Sequence, residues 1–545
     1  MSEKPANKPR VMHRLARLDH RYLWHPFTQM RDWFKKEPIV IIKGRGAELQ
    51  DAHNRKYLDG NSSIWTNLHG HNHPKINQAI RRQLKRIAHS SALGLANEPA
   101  AILAEKLVLT ANPARVEKDP EISVSGKSSE IARLSLSKGL ALKPPLTRVF
   151  FSDDGSTALE VALKLAFEYS RRIGQTRDPR FLSLEGGYHG DTVGAVSLGH
   201  IHLFHKTYAP LLFRTDKVMA PYCYRCPYNR ARPERADART YRLCNWECMD
   251  RVEEKFASRK RKGLPYSGFV FEPLMQGAAG MIPQPKGWLS RACEIARGYG
   301  ALLIADEVMT GFGRMGSITP TQHRLAPQRM AGAREKSSNS FSNGFHAHPQ
   351  KQSSFLFASH QEGVQPDFMV LAKGLTGGYL PMAATLTTQA VFEAFLGEYE
   401  EFKTFFHGHS FTANQIGAAA ALASLAMLET PASQRSRRLL EQTLREELKP
   451  LWRYPQVGDI RQTGLVVGIE LVKNWRTREP FDLRVRAGIR VCEEMARRGV
   501  LTRPVGNVIV LMPPYCTTSA QLRRMVNVLG ESIVAQLGGP AATQA

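Results

Sequence analysis

The stretch TRVFFSDDGSTALEVALKLAFEYSRRIG, residues 147 to 174, changes its period halfway along. TRVFFSD is a short, β-prone apolar run, whereas STALEVALKLAFEYSRRIG spaces its apolar residues as one face of a helix. The same alternation recurs outward from it. RFLSLEG follows at 180–186, YSGFVFEP at 266–273, and WLSRACEIARGYG at 288–300 leads into ALLIADEV at 301–308. Short apolar strands separated by amphipathic helices predict an α/β fold with a mostly parallel sheet covered on both faces. In such sheets the functional groups gather beyond the carboxyl ends of the strands.

Two stretches interrupt this pattern. Residues 112–145 and 317–354 are rich in Ser, Pro, Gly and basic residues and have weak periodicity, so they read as insertions: surface loops, or disorder in the second. Beyond about residue 430 the chain returns to helix, short strands and helix, which predicts a smaller C-terminal domain. A length of 545 residues also calls for more than one packed unit.

Composition narrows the class. With 42% hydrophobic and 23% charged residues the bulk reads as globular. No apolar stretch approaches the roughly 20 residues that span a bilayer, and the first twenty residues lack the apolar core of a secretory signal. The expectation is a cytoplasmic protein with no membrane partner. Seven cysteines, an odd number, argue for reduced thiols. The net charge of +26 is spread along the chain without a nucleic-acid-binding pattern, so no nucleic-acid partner is expected.

Four short motifs carry chemistry. Asp306 ends the apolar run ALLIAD, where a carboxylate is costly to bury without a cationic or hydrogen-bonding partner. Gly155, Ser156 and Thr157 begin a helix, where free amides and the dipole suit a phosphate; a plain N-cap is the simpler reading, and Asp153 and Asp154 oppose an anion unless they point away. EGGYHGDT places Tyr188 and His189 after a glycine turn, suited to a flat ring. VLAKGLTGGYLP, residues 370–381, puts Lys373 in a turn after a strand, where a desolvated amine becomes a nucleophile towards aldehydes. A lysine, an acid, a phosphate cup and an aromatic face in one chain fit pyridoxal phosphate.

The chain resembles the class III, fold-type I aminotransferases through EPLMQGAAGM (272–281), ALLIADEVMTGFGRMG (301–316) and PDFMVLAKGLTGGYLPMAATLTT (366–388). Within that class it is most similar to the enzymes that make 7,8-diaminononanoate for biotin. WHPFTQM (24–30), DGNSSIWTNLHGHNHP (59–74), GGYHGDTVGAVSLG (186–199), FHGHSFTAN (406–414) and TRPVGNVIVLMPPY (502–515) carry that narrower likeness. The resemblance implies a large cofactor domain over residues 81–425, a small α+β domain over 426–545 that residues 1–80 join, and a homodimer with its active sites at the subunit interface. It implies that Lys373 binds the cofactor aldehyde, Asp306 holds the ring nitrogen, and Tyr188 stacks on the ring with His189 beside it. Gly155 and Ser156 would take the phosphate, with Ser410 reaching it from the second subunit. Trp65, Phe27, Asp191, Arg314, Gly408 and Arg503 would surround the substrates, Arg503 meeting a carboxylate. The implied reaction converts 8-amino-7-oxononanoate, with S-adenosylmethionine as donor; a lysine-using relative and an enzyme for ω-amino acids or diamines are the alternatives.

Phe27 stands where that family often has tyrosine, and Ile64 replaces the first of two tryptophans, which bears on the donor. Cys223, Cys226, Cys244 and Cys248, in a loop over 222–248, have spacing that would suit zinc, and His69, His71 and His73 would share a strand face. The family carries both features without a required metal, so no metal is expected.

Overall fold

The computed structural model describes residues 12–112, 145–316 and 356–538. Both predicted insertions therefore lie, apart from their outermost residues, outside the described residues.

Seven strands form the central sheet: β1 (Leu146–Ser152), β2 (Phe181–Leu184), β3 (Asp216–Val218), β4 (Gly268–Phe271), β5 (Leu302–Asp306), β6 (Phe368–Leu371) and β7 (Ala383–Thr388). Their order is β1-β7-β6-β5-β4-β2-β3. The adjacent pairs from β6 to β3 are parallel, while β7 runs antiparallel to both its neighbours. Strands β4 and β6 are buried along their whole length, as a sheet covered on both faces requires.

Alternate side chains enter different cores. Phe269, Phe271, Leu303 and Ala305 face one cluster with Trp288, Leu289 and Phe256. Val270, Ile304 and Val370 face another, filled by Ala158, Leu159 and Ala162 of the helix Gly155–Arg172. That helix starts where it does because Asp154 caps it: its carboxylate accepts from the amides of Ser156 and Thr157 at 2.7 and 3.0 Å, and the Thr157 hydroxyl receives the Asp154 amide. Losing such a cap typically costs about 1 kcal/mol.

The C-terminal region forms an antiparallel sheet from Val457–Thr463, Val466–Asn474, Val508–Leu511 and shorter strands. The helix Ser519–Leu537 shares its core through Leu522, Met525 and Leu529. An N-terminal meander of Ile41–Arg45, Glu48–Asp51 and Lys56–Asp59 joins this region, because Lys56–Asp59 pairs in parallel with Val500–Leu501. Among the described residues, no single helix is long and apolar enough to cross a membrane.

Candidate active site

Three adjacent parallel strands deliver three polar groups to one place. Glu272 follows the last residue of β4, Asp306 is the last residue of β5, and Lys373 comes two residues after β6. Since Asp306 pairs with Val370 across the sheet, the three ends are level. The loop after β2 supplies Tyr188 and His189, and the helix after β1 begins at Gly155. All these residues line one cleft of about 490 Å³, with Trp65 and Ser156 also in its wall.

Asp306 is held from two sides. Its Oδ2 lies 2.8 Å from Nδ1 of the buried His189, and its Oδ1 accepts the Val308 amide at 3.1 Å. Burial alone would lower the His189 pKa, but the hydrogen bond and charge of Asp306, with Glu272 adding, raise it above the ordinary value. His189 thereby braces the Asp306 carboxyl from behind. Its Nε2 has no hydrogen-bond partner.

Lys373 is partly enclosed, its Nζ 5.5 Å from the centroid of the Trp65 ring. Burial pushes its pKa down, opposed by the negative charges of Asp306 and Glu272. A lowered ammonium pKa enlarges the neutral, nucleophilic fraction. The turn that carries it needs glycine: Gly378 has φ of +83°, and a Cβ there would come within 2.8 Å of the Asn67 backbone.

Glu272 was not singled out from the sequence, although YSGFVFEP ends an apolar strand in a carboxylate just as ALLIAD does. Its oxygens accept the amides of Tyr188 at 3.3 Å and Gly277 at 2.7 Å. Burial pushes its pKa up to about 7, Asp306 raising it further while His189 and the two amides pull it down.

Tyr188 donates its hydroxyl to Asp191 Oδ2 at 2.6 Å, which fixes the ring direction. Burial, and then Asp191, push the phenol pKa well up, so it stays protonated. The Asp191 amide donates to Ser156 Oγ at 3.2 Å, and a Cβ on Gly190 would overlap that hydroxyl. Asp154 takes the amides of Ser156 and Thr157, so the Gly155 amide and the Ser156 hydroxyl are the donors left for an anion at this helix end. The plain N-cap is formed, and it leaves these two donors unused by the cap.

The remaining sequence candidates lie elsewhere. The buried Arg314 sends Nη1 to Pro513 O at 3.0 Å and Nη2 to Asn67 O at 2.9 Å and Trp65 O at 3.5 Å, and it does not line the cleft. Phe27 is 59% exposed, its ring 5.3 Å from Phe204, which in turn meets Tyr188 edge-on at 6.4 Å. Ile64 is 43% exposed and outside the cleft wall. Arg503 is exposed and has no hydrogen bond or ion pair among the described residues, leaving its guanidinium available to an anion. Gly408 and Ser410 lie on an exposed segment away from the cleft wall of their own chain, with Ser410 O accepting from His89 at 2.8 Å.

The three histidines of HGHNHP do three separate jobs. His69 Nε2 meets Ser424 Oγ at 2.9 Å, His71 Nε2 meets Asp59 at 2.9 Å, and His73 caps the helix Pro74–Leu84. None of the seven cysteines is in a disulfide, and burial pushes Cys223 and Cys248 up to about 12 and 11. Among the described residues no group of three or more His, Cys, Asp or Glu is arranged to hold a metal. The cysteine loop instead docks on the C-terminal sheet, Arg225 Nε donating to Glu470 at 2.9 Å.

Known proteins share this architecture. The pattern of the class III aminotransferases matches residues 30–333 and 353–533. The adenosylmethionine-8-amino-7-oxononanoate aminotransferase of Geobacter sulfurreducens is 42% identical over 527 residues, covering 96% of this chain and 97% of its own. That of Anoxybacillus flavithermus is 42% identical, covering 94% and 95%. The crystal structure of the Methanocaldococcus jannaschii protein of the same name superposes with a TM-score of 0.76 at 33% identity, covering 96% of this chain and 99% of that one. An amine transaminase from an uncultivated Pseudomonas species, solved with pyridoxal phosphate, gives 0.74 at 30% identity and 94% and 98% coverage.

Proposed function

The chain belongs to the class III aminotransferases, and from that premise we propose that it transfers an amino group to 8-amino-7-oxononanoate, giving 7,8-diaminononanoate, with S-adenosylmethionine as donor and pyridoxal phosphate as cofactor. The observation that carries the reading is the convergence of Lys373, Asp306 and Glu272 at the level ends of three neighbouring strands. Relatives at 42% identity over nearly the whole chain bear the name of this activity.

The residues fit the cofactor. A carboxylate braced by His189 stands at the cleft floor for a protonated ring nitrogen, a depressed lysine for the aldehyde, and the Gly155 amide with the Ser156 hydroxyl for the phosphate. Gly155 itself has no room for a side chain, since a Cβ would lie 2.8 Å from Val308 Cγ1. When bound, pyridoxal phosphate supplies an aldehyde that takes up an amino group and a ring that accepts the electrons of the broken C–H bond.

The protein's own groups do the rest. With the cofactor bound, the neutral amine of Lys373 would take the proton from the donor carbon, and its ammonium would give a proton to the former carbonyl carbon of the keto substrate in the opposite half-reaction. Asp306 would face the ring nitrogen, with His189 behind it. Tyr188, locked by Asp191, covers one wall. Arg503 meets the carboxylate of the keto acid, a task to which its planar guanidinium suits it. Amino donor and acceptor use one cleft in turn, so kinetics are ping-pong.

The test is to incubate the holoenzyme with S-adenosylmethionine or with lysine, follow loss of the visible absorbance, and then add 8-amino-7-oxononanoate. The proposal expects bleaching by adenosylmethionine and formation of 7,8-diaminononanoate by mass spectrometry. Bleaching by lysine alone would replace the donor. Bleaching by neither would remove the assignment.

A further inference from the structure

The segment that carries Trp65 has an unusual backbone. Ser62, Ser63, Ile64 and Trp65 have φ of 54°, 49°, 62° and 69°, four successive non-glycine residues in the left-handed region. An L residue there crowds its own Cβ against backbone carbonyl, and a β-branched residue such as Ile64 suffers most. Conformations of this kind persist only where their surroundings impose them.

Three groups hold this one: Asn61 Oδ1 accepts the Ile64 amide at 3.0 Å, Met512 O accepts from Ser62 Oγ at 2.6 Å, and Asp59 makes the most contacts. Its Oδ1 accepts the amides of Ser63 at 3.0 Å and Asn61 at 3.3 Å, and its Oδ2 accepts the Ser63 hydroxyl at 3.0 Å. The same Oδ2 lies 2.9 Å from His71 Nε2. The His71 tautomer follows from its other side: Asn67 Oδ1 accepts the Gly70 amide at 2.7 Å, so Asn67 Nδ2 is the donor to His71 Nδ1 at 3.0 Å, and Nε2 carries the proton given to Asp59. Burial alone would raise the Asp59 pKa, but hydrogen bonds from His71 and Ser63 hold it below the ordinary value, so the acceptor stays charged.

The turn meets the lysine through Trp65 and the loop that follows the lysine through residues 66–68. Trp65 presents its ring to Lys373 Nζ, and a Cβ on Gly277 would meet that ring at 3.3 Å. Downstream, the Leu68 amide donates to Gly377 O at 3.3 Å and the backbone of residues 66–67 packs on Gly378, in the turn that carries Lys373.

We propose that Asp59 is a positioning residue of the transamination site, holding residues 62–65 left-handed so that the Trp65 ring stands against Lys373 and walls the space where the amine acceptor binds. The inference rests on the aminotransferase reading, but its backbone part is tested without turnover. In the Asp59→Asn holoenzyme, hydrogen exchange at the amides of Ser63 and Ile64 rises about tenfold or more, and KM for the amine acceptor rises about tenfold while kcat stays within about threefold. Adding Ile64→Gly, which removes the strain, brings KM back to within about threefold of the parent. A carboxylate with a merely structural role would lower the melting temperature with no response to that glycine. Unchanged exchange and KM in Asp59→Asn, or no rescue, overturns the proposal. Should Asp59→Asn fail to fold, Ile64→Gly alone decides, since the left-handed turn requires its melting temperature to rise and a fall overturns it. If the enzyme aminates no 8-amino-7-oxononanoate, the exchange and melting results still judge Asp59, with KM read on whichever acceptor it uses.

Discussion

Glu272 sits on the strand end beside that of Asp306 in the same cleft, and burial pushes its acid up to about 7. Burial is the largest cause and the negative charge of Asp306 adds to it, while His189 and the amides of Gly277 and Tyr188 pull the other way. Because the folded pKa of Glu272 is raised above its ordinary 4.5, its contribution to stability is fully present below pH 4.5 and lost as pH rises through 7. Holoenzyme and its Glu272→Gln variant, unfolded by urea at a series of pH values, should therefore diverge. Between pH 4.5 and 7 the parent loses about 1.4 kcal/mol per pH unit relative to the glutamine variant, which keeps the neutral shape without titrating. Parallel pH curves would place the charge of Glu272 elsewhere. Lys373 and Asp306 were legible because a charged residue at the end of an apolar strand is rare enough to ask for a reason, and Glu272 offered the same signal. Arg314 was not legible in the same way. A sequence shows that an arginine is present, but not that the carbonyls of Trp65, Asn67 and Pro513 close round it.

Between strands and helices, the working parts are turns, and turns explain what reading the chain left out. The strands at 268–271, 302–306 and 368–371 announce themselves as unbroken apolar runs because both their faces are covered. The left-handed turn at 62–65 announces nothing, since it contains no glycine and is imposed by Asp59, Asn61 and a carbonyl 450 residues away that accepts from Ser62 Oγ. The Thr-Gly-Gly turn after Lys373 does show itself through its glycines, and one of them can be compared with a glycine at a helix end elsewhere. Gly378 has φ of +83° and a virtual Cβ 2.8 Å from backbone atoms of Asn67, whereas Gly263 has φ of +69° and open space. Alanine at Gly263 meets only the conformational penalty, about 1 kcal/mol. Alanine at Gly378 meets that penalty and a backbone clash, and should destabilise by at least about 2 kcal/mol more. It should also weaken cofactor binding, because the lysine turn must move. Equal losses of melting temperature in the two variants would show that residues 66–67 yield freely and do not brace the lysine.

For the molecule as a whole, the one group implied at the cofactor phosphate that stands outside its own cleft is Ser410. It lies in exposed chain among large apolar side chains that also face outward, Phe406 at 71% and Phe411 at 58% exposure, with Leu93 and Leu95 similarly bare. These are one surface. The His89 ring lies 4.9 Å from Phe411 and its Nε2 meets Ser410 O, while a Cβ on Gly408 would touch Leu93 at 3.8 Å. Exposed apolar patches of this kind mark protein interfaces, and in the homodimer that the resemblance implies Ser410 would reach the partner's cleft. A dimer that completes its phosphate cup in this way makes a distinctive demand on mixed variants. Lys373→Ala lacks the amine but keeps Ser410, and Ser410→Asp keeps the amine but places a negative charge where a phosphate would lie, so each homodimer is close to inactive. When the two are unfolded together and refolded, half of the dimers are mixed, and one of the two clefts in each has Lys373 from one chain and Ser410 from the other. About a quarter of all sites should then be intact, and the mixture should recover about a quarter of the parent activity at saturating cofactor. Refolding the two chains separately before mixing gives the baseline for subunits that have not exchanged. Recovery no greater than that baseline, with mixed dimers demonstrated by mass, would confine Ser410 to its own chain and leave the phosphate to Gly155 and Ser156 alone.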